Sequence, residues 1–303
     1  MDISFITVNY NSSDETLNLI KSIHQHTQNR AYEIIVVDNN SRPQELEKLH
    51  ELKSDPSVTL VESPVNGGFA KGNMLGVEYA KGTHFFFLNN DTRLLNDASG
   101  ILKAFLEANS KIALATAQLY HDEESPTSSY KKFPALANKL FGNSFVRFFT
   151  KDDFPSNKVR LHVPTKVGVV SGSCMFFNAS VFNKIGGLDT NFFLYCEEED
   201  ISKRIWESGY EVYFVPEAKI IHYEGASTQK SYEIEREYYI SHNILLDKHF
   251  SPFAAAIMKF LTLLKLLRRS FRGGNYFRLF RFVLRGAPVK ESLRYQQQTK
   301  EVL

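Results

Sequence analysis

The chain has 303 residues, 43% of them hydrophobic and 13% aromatic. That is enough apolar material for one large core with an appendage, and it argues against two equal domains. Two cysteines, Cys174 and Cys196, exclude a disulfide framework and point to a reducing, cytoplasmic setting. The net charge of +2 hides an asymmetry: from Lys248 onward there are 12 Lys and Arg against 2 Asp and Glu, leaving 24 against 32 in the body. An anionic partner is expected for the tail.

The first residues read directly as a strand, so no secretory leader is expected. Ile3–Val8 is a continuous apolar run. Asp14–Thr27 has helical spacing, with Leu17, Ile20 and Ile23 on one face and Ser13 placed to cap it. Ile34–Val37 is a second strand, Pro43–Lys53 a short helix with proline in its first turn, and Val58–Val61 a third strand. A helix over Phe69–Ala80 stops before Gly82. Strand Phe85–Leu88, helix Asp97–Ala108 and strand Ile112–Leu119 follow. Continuous apolar strands separated by helices predict an α/β fold with a mainly parallel sheet covered on both faces. The polar, proline-interrupted stretch Tyr120–Thr165 reads as a long, partly helical excursion. Regularity returns at Val167–Asn178. Helix Glu198–Glu207, strands Val212–Val215 and Lys219–His222, and a helix near Tyr232–Phe250 complete the body. The expected division is a domain over 1–250, with halves 1–119 and 120–250, followed by a basic helical tail over 251–303.

In such sheets ligands bind beyond the carboxyl ends of the strands. The segments there are Thr7-Val8-Asn9-Tyr10-Asn11, Asp38-Asn39-Asn40-Ser41, Asn66-Gly67-Gly68 and Asn89-Asn90-Asp91-Thr92. Asp38 can accept a hydrogen bond from a pyrimidine imide, Gly67 and Gly68 permit close backbone approach, and Asp91 can bind a divalent cation alongside substrate phosphates. Any one of these segments could be an ordinary turn or cap. Four on consecutive strands favour a nucleoside diphosphate site.

These segments, with NGGFAKGNMLGVEYAKG, the later VVSGSCMFFNASVFNKIGGLDTNFFLYCEEEDISKRIWESGY and IIHYEGAST, resemble family 2 glycosyltransferases of the GT-A fold, in their rhamnosyltransferase-like branch. The resemblance covers roughly residues 1–245. It implies inverting transfer from a nucleotide-sugar donor, dTDP-rhamnose or a UDP-hexose, to a lipid-linked or polysaccharide acceptor in bacterial cell-surface glycan synthesis. It implies that Asp38 recognises the base, with Thr7, Val8, Asn9, Asn66, Gly67, Asn89 and Asn90 in the donor set. Asp91 would be the metal-binding acid of a reduced DXD-type motif, His222 would reach the metal or the diphosphate, and the ion would be Mg²⁺ or Mn²⁺.

Glu197-Glu198-Glu199-Asp200 opens a helix, where a run of carboxylates also suits the helix dipole. Transfer with inversion needs one base to take the acceptor hydroxyl proton. The family pattern, aligned on Phe-Phe-Leu-Tyr, places that base at Glu198, where the family has Asp; Glu197 or Glu199 would serve if the alignment slid by one. Asp200, Arg204 and Trp206 are candidates for the acceptor side, with helix packing the alternative. Gly172-Ser173 could approach the sugar or form a tight turn. Cys174 reads as a core residue.

In the tail, FAAAIMKFLTLLKLL is too short and too charged to span a bilayer. Arginines interleaved with aromatics from Arg268 to Arg285 suit an interfacial helix on an anionic membrane, which would place the protein at the inner face of the cell membrane. Packing on the body or a homodimer partner is the alternative. No nucleic-acid reading motif accompanies the basic residues. Two other functions fit less of the pattern. A sugar nucleotidyltransferase would need a basic Gly-rich loop after the first strand, where Asn9-Tyr10-Asn11-Ser12 stands. A catalytically inactive nucleotide-sugar-binding scaffold would account for the reduced metal motif.

Overall fold

The computed structural model describes residues 1–28, 30–133, 154–156, 160–223, 231–271 and 273–298. They group into two compact units. One holds the described parts of 1–132, 154–190 and 197–229, the other those of 133–153, 191–196 and 230–303.

The first unit is built on a mixed, mainly parallel sheet. Its strands are β1 (Ile3–Asn9), β2 (Tyr32–Asp38), β3 (Val58–Glu62), β4 (His84–Leu88), β5 (Thr92–Leu94), β6 (Ile112–Tyr120), β10 (Cys174–Asn178) and β11 (Glu211–His222), in the order β3-β2-β1-β4-β10-β6-β11-β5. The short β8 (Thr165–Lys166) pairs with β11, and β7 (Tyr130–Lys131) pairs with β9 (Val169–Val170) in a separate ribbon. β1 runs parallel to both β2 and β4, β2 parallel to β3, and β6 parallel to β11; β10 is antiparallel to both neighbours. This is the GT-A architecture.

The strands are apolar on both sides because both faces are covered. Alternate residues of β4 divide between two cores: Phe86 and Leu88 pack with helices α1 (Ser13–His26) and α4 (Ala98–Glu107), and Phe85 and Phe87 with α3 (Gly68–Val77), α5 (Ala179–Lys184) and α6 (Glu197–Glu207). The α3 helix sits unusually close to the sheet. A Cβ on Gly76 would lie 2.6 Å from Ile6 Cγ2, and one on Gly72 3.0 Å from the methyls of Val8; only hydrogen at these positions lets the helix approach so near.

Several elements differ from expectation. Ser13 does not cap α1. Ser12 holds the N-cap position, and the Ser13 backbone N–H donates to Glu45 Oε2 at 2.9 Å, so a glutamate of α2 (Pro43–Leu49) satisfies that terminus. The expected strands Val212–Val215 and Lys219–His222 are one strand, β11, with its register shifted between Val215 and Lys219; Pro216 and Glu217 interrupt the apolar pattern without ending the strand. β5 is additional, and at three residues it is too short for periodicity to reveal.

The second unit is helical where described. Its helices are α7 (Tyr232–His249), α8 (Pro252–Ser270), α9 (Tyr276–Leu284) and α10 (Leu293–Gln298). Ile240, Leu266, Leu279, Phe282 and Val283 form its main core. Buried Glu237 accepts hydrogen bonds from Ser292 Oγ at 2.8 Å and Leu293 N at 2.9 Å, capping α10. Among the described residues no helix is long and apolar enough to cross a membrane. Cys174 and Cys196 are both buried thiols, and burial pushes Cys174 up to about 11, which keeps it protonated and inert.

Candidate active site

The carboxyl edge of β1 and β2 carries a polar network centred on Asn9. Its Nδ2 donates to Asp38 Oδ1 at 2.9 Å and Ser41 Oγ at 3.0 Å, while its Oδ1 accepts from Thr16 Oγ1 at 2.9 Å. The other Asp38 oxygen accepts from the Ser41 backbone N–H at 3.0 Å. Asp38 is thereby fixed, with one further lone pair on each oxygen still able to accept. Thr7 Oγ1 is buried without a hydrogen-bond partner. In the next loop Asn39 Nδ2 donates to Asn66 Oδ1 at 2.9 Å and Asn39 Oδ1 accepts from the Gly67 N–H at 3.0 Å. A cavity of about 240 Å³ opens beside it, lined by Asn39, Ser63, Gly67, Lys71, Gly72 and Glu78 among others.

Past β4 the chain turns at Asn89-Asn90-Asp91. Asn90 is directed inward, donating to Ser12 Oγ at 2.7 Å and Thr16 Oγ1 at 3.0 Å, so it ties the turn to α1. Because β11 pairs antiparallel with β5, with His222 opposite Thr92, the imidazole Nε2 comes within 3.3 Å of Asp91 Oδ1. Asp91 is almost fully buried. Arg93 follows, paired with Glu15 at 2.5 Å, its guanidinium 5.5 Å from the centre of the Tyr223 ring. Among the described residues no cluster of three or more His, Cys, Asp and Glu side chains assembles. A carboxylate and an imidazole still fit a cation that draws its remaining ligands from diphosphate and water.

The acidic residues open α6, as the dipole favours, but they have separate fates. Glu197 is buried, and Oε1 has no hydrogen-bond partner; burial, reinforced by the charge of Glu198, pushes its carboxyl well above the usual range. Glu198 and Glu199 share one cation: Lys131 Nζ lies 2.9 Å from Glu198 Oε1 and 2.5 Å from Glu199 Oε1. Burial works against the Lys131 charge, but the two carboxylates prevail and hold its proton more tightly than usual. Asp200 is fully buried and accepts from Arg204 Nε at 2.9 Å and Nη2 at 2.6 Å. Arg204 also donates to the carbonyls of Ile185 and Gly187. Trp206 stacks obliquely on Phe154, centroids 4.9 Å apart.

One turn joins the two halves of this arrangement. Asn89 N donates to Ser173 O at 3.1 Å. The adjacent Gly172 stands against Glu198, whose Oε2 would be 3.7 Å from a Cβ there. A cavity of about 160 Å³, lined by Ser128, Tyr130, Lys131, Val170, Ser171 and Glu198, lies on the same side. The strand register of β4 and β10 thus carries the Asp91 turn and the Glu198 carboxylate on one short connection.

Residues 4–186 match glycosyl transferase family 2. The chain belongs to that family. It is 29% identical over 165 residues to the rhamnosyltransferase WbbL of Escherichia coli (strain K12), covering 52% of this chain and 61% of that protein. It is 37% identical over 62 residues, 20% of each chain, to an N-acetylglucosaminyl-diphospho-decaprenol L-rhamnosyltransferase of Mycobacterium tuberculosis. The aligned stretches therefore span less than two thirds of either relative. In fold the chain is similar to the mannosyltransferase PcManGT from Pyrobaculum calidifontis in complex with GDP-Man and Mn²⁺, with a TM-score of 0.56 at 15% identity over 98% of this chain and 83% of that one.

For this family 2 chain, the structure brings Asp91 beside His222, Asn9 beside Asp38, and Asn39 beside Asn66 and Gly67. Thr7, Asn9, Asp38, Gly67 and Asn90 are buried, while Val8, Asn66 and Asn89 are half-buried. Asp200 and Arg204 are joined to each other and to backbone, away from the cavity lining. Lys131 was not anticipated. Its only trace in the sequence is Tyr130-Lys131-Lys132, inside a stretch read as an irregular excursion.

Proposed function

We propose that this chain transfers a sugar, with inversion, from a nucleoside-diphosphate donor to a glycan or lipid-linked acceptor at the inner face of the cell membrane. The observation that carries the reading is the run Asn89–Ser173–Gly172–Glu198, which links the turn bearing Asp91, itself beside His222, to a carboxylate that lines a cavity. The nucleoside lies along the β1–β2 edge, with Asp38 accepting from the base imide and the Asn66-Gly67 loop at its side. Asp91 and His222 would hold Mg²⁺ or Mn²⁺, which when bound neutralises charge on the leaving diphosphate.

Glu198 is the base. As the acceptor oxygen attacks the anomeric carbon, the bond from that carbon to the diphosphate oxygen breaks, and the hydroxyl proton passes to the Glu198 carboxylate. Lys131 keeps that carboxylate aimed, its Nζ donating to Glu198 Oε1 at 2.9 Å. Glu197 favours its protonated form and is poorly placed to take a proton. A dTDP-rhamnose donor is favoured by the rhamnosyltransferase relatives, with UDP-hexoses as the alternative.

The test is transfer or slow hydrolysis of dTDP- and UDP-sugars with Mg²⁺ or Mn²⁺, repeated on Asp91→Ala and Glu198→Gln. Loss of turnover in both, with donor binding kept in Glu198→Gln, supports the assignment. Unchanged turnover in both removes it. Donor binding without turnover on any acceptor favours the inactive scaffold.

A further inference from the structure

Helix α8 is apolar on two opposite sides, and among the described residues only one is covered. Ala255, Met258 and Leu266 are buried. On the other side Phe253, Ile257, Phe260, Leu264, Leu267 and Phe271 recur at alternating spacings of four and three residues, so they form a continuous line along the helix. That line faces solvent: Phe253 is 76% exposed, Phe260 58% and Phe271 84%. A helix with apolar residues on opposite faces normally has both covered. By contrast, Leu279, Phe282 and Val283 of α9 are turned into the core, so packing on protein accounts for that apolar face.

The charge around the line indicates what covers it. From Ser251 to Lys290 the sequence has nine Lys and Arg and no Asp or Glu. Some are engaged: Lys259 pairs with Asp247, Arg285 with Glu291, and Arg278 stacks 4.0 Å over Tyr232. Lys265 and Arg268 flank the apolar line, and these two together with Arg281 are exposed without an ion pair among the described residues. A second copy meeting this surface would set like charges against one another, which is unfavourable. An anionic bilayer answers both features, taking the apolar line into its acyl boundary and the cations at its headgroups.

We infer that α8 is the membrane-seating element of this protein, lying in the interface of an anionic bilayer with the Phe253–Phe271 line inward and Lys265, Arg268 and Arg281 on the headgroups. The inference extends the proposed function, since a lipid-linked acceptor would be met at that surface, but it stands on the tail alone.

Flotation of the full chain with phosphatidylcholine vesicles, with and without phosphatidylglycerol, tests it. Wild type is expected to float only with phosphatidylglycerol and to be released by salt. Replacing the exposed Phe260, Leu264 and Phe271 together by Ser should reduce flotation to background. Lys265→Gln, Arg268→Gln and Arg281→Gln together should lower partitioning roughly a hundredfold. Binding to neutral vesicles as strong as to anionic ones, or no binding to either, overturns the inference. So does a dimer in sedimentation that the serine variant dissolves while wild type ignores vesicles. Thermal shifts with nucleotide sugars on the same samples separate the two readings. Flotation without nucleotide binding removes only the transferase reading, and nucleotide binding without flotation removes only this one.

Discussion

Lys131 Nζ donates to Glu198 Oε1 across 67 residues of sequence, at 2.9 Å. The same ammonium reaches Glu199 at 2.5 Å. Replacing it in Lys131→Met leaves Glu198 and Glu199 without the cation they share and Glu198 Oε1 without the donor that orients it. Turnover should therefore fall roughly tenfold or more across the pH–rate profile, as expected for a base held out of its productive orientation. Lys131→Arg should restore most of it. A Lys131→Met profile that overlays wild type would remove Lys131 from the reaction.

The Asp91–His222 pair predicts a ligand set completed by the donor. Mn²⁺ or Mg²⁺ should bind weakly alone and should tighten nucleoside-diphosphate binding in wild type by calorimetry. Asp91→Asn should abolish that enhancement, and His222→Ala should reduce it by roughly tenfold or more. Metal-independent nucleotide binding of equal strength in all three proteins would show that the pair holds no ion.

Burial of Glu197 gives the fold a pH dependence of known sign. Its folded-state carboxyl titrates well above the ordinary value of 4.5. Between that ordinary value and the raised one, the native state holds a proton that the unfolded state releases, so this residue's contribution to stability falls as pH rises through the window. Glu197→Gln removes the dependence. The variant should gain stability over wild type at about pH 8 and lose that advantage at about pH 5, measured by denaturant unfolding. An equal difference at both pH values would mean Glu197 is charged in the native state.

Buried Asp200 pairs with half-buried Arg204, which also holds the carbonyls of Ile185 and Gly187. Asp200→Asn leaves a half-buried guanidinium without its anion, which should cost about 2 kcal/mol in unfolding free energy. The acceptor KM of the folded variant should stay unchanged. A raised KM with stability intact would place the pair on the acceptor side instead.

The strand ends were legible because continuous apolar runs mark strands buried on both faces, and the polar residues closing them are conspicuous. What those side chains do was less legible. Asn90 and Asn89 look alike in sequence, but Asn90 is spent on Ser12 and Thr16. Asp200 and Glu198 stand two residues apart on one helix, yet their angular separation sends one into the interior and the other to a cavity. Lys131 was hidden because an ion pair between distant residues leaves no local pattern. In the tail, periodicity announced amphipathic helices without saying which apolar face would be covered, and the packing of Phe282 and the exposure of Phe260 decide that.

Gly76 sets a limit on how this scaffold can be engineered. Replacing a helical glycine by alanine ordinarily stabilises a protein by about 1 kcal/mol. Here the added methyl would meet Ile6 at 2.6 Å and Val37 at 3.2 Å, so α3 would have to lift from the sheet. The helix begins at Gly68, directly after the loop whose Gly67 N–H bonds to Asn39, so the displacement would pass to that contact. A thermostabilising design that treats Gly76 as a free site would dislocate the Asn66-Gly67 loop. That loop is calibrated from its far side, by the thickness of one missing methyl.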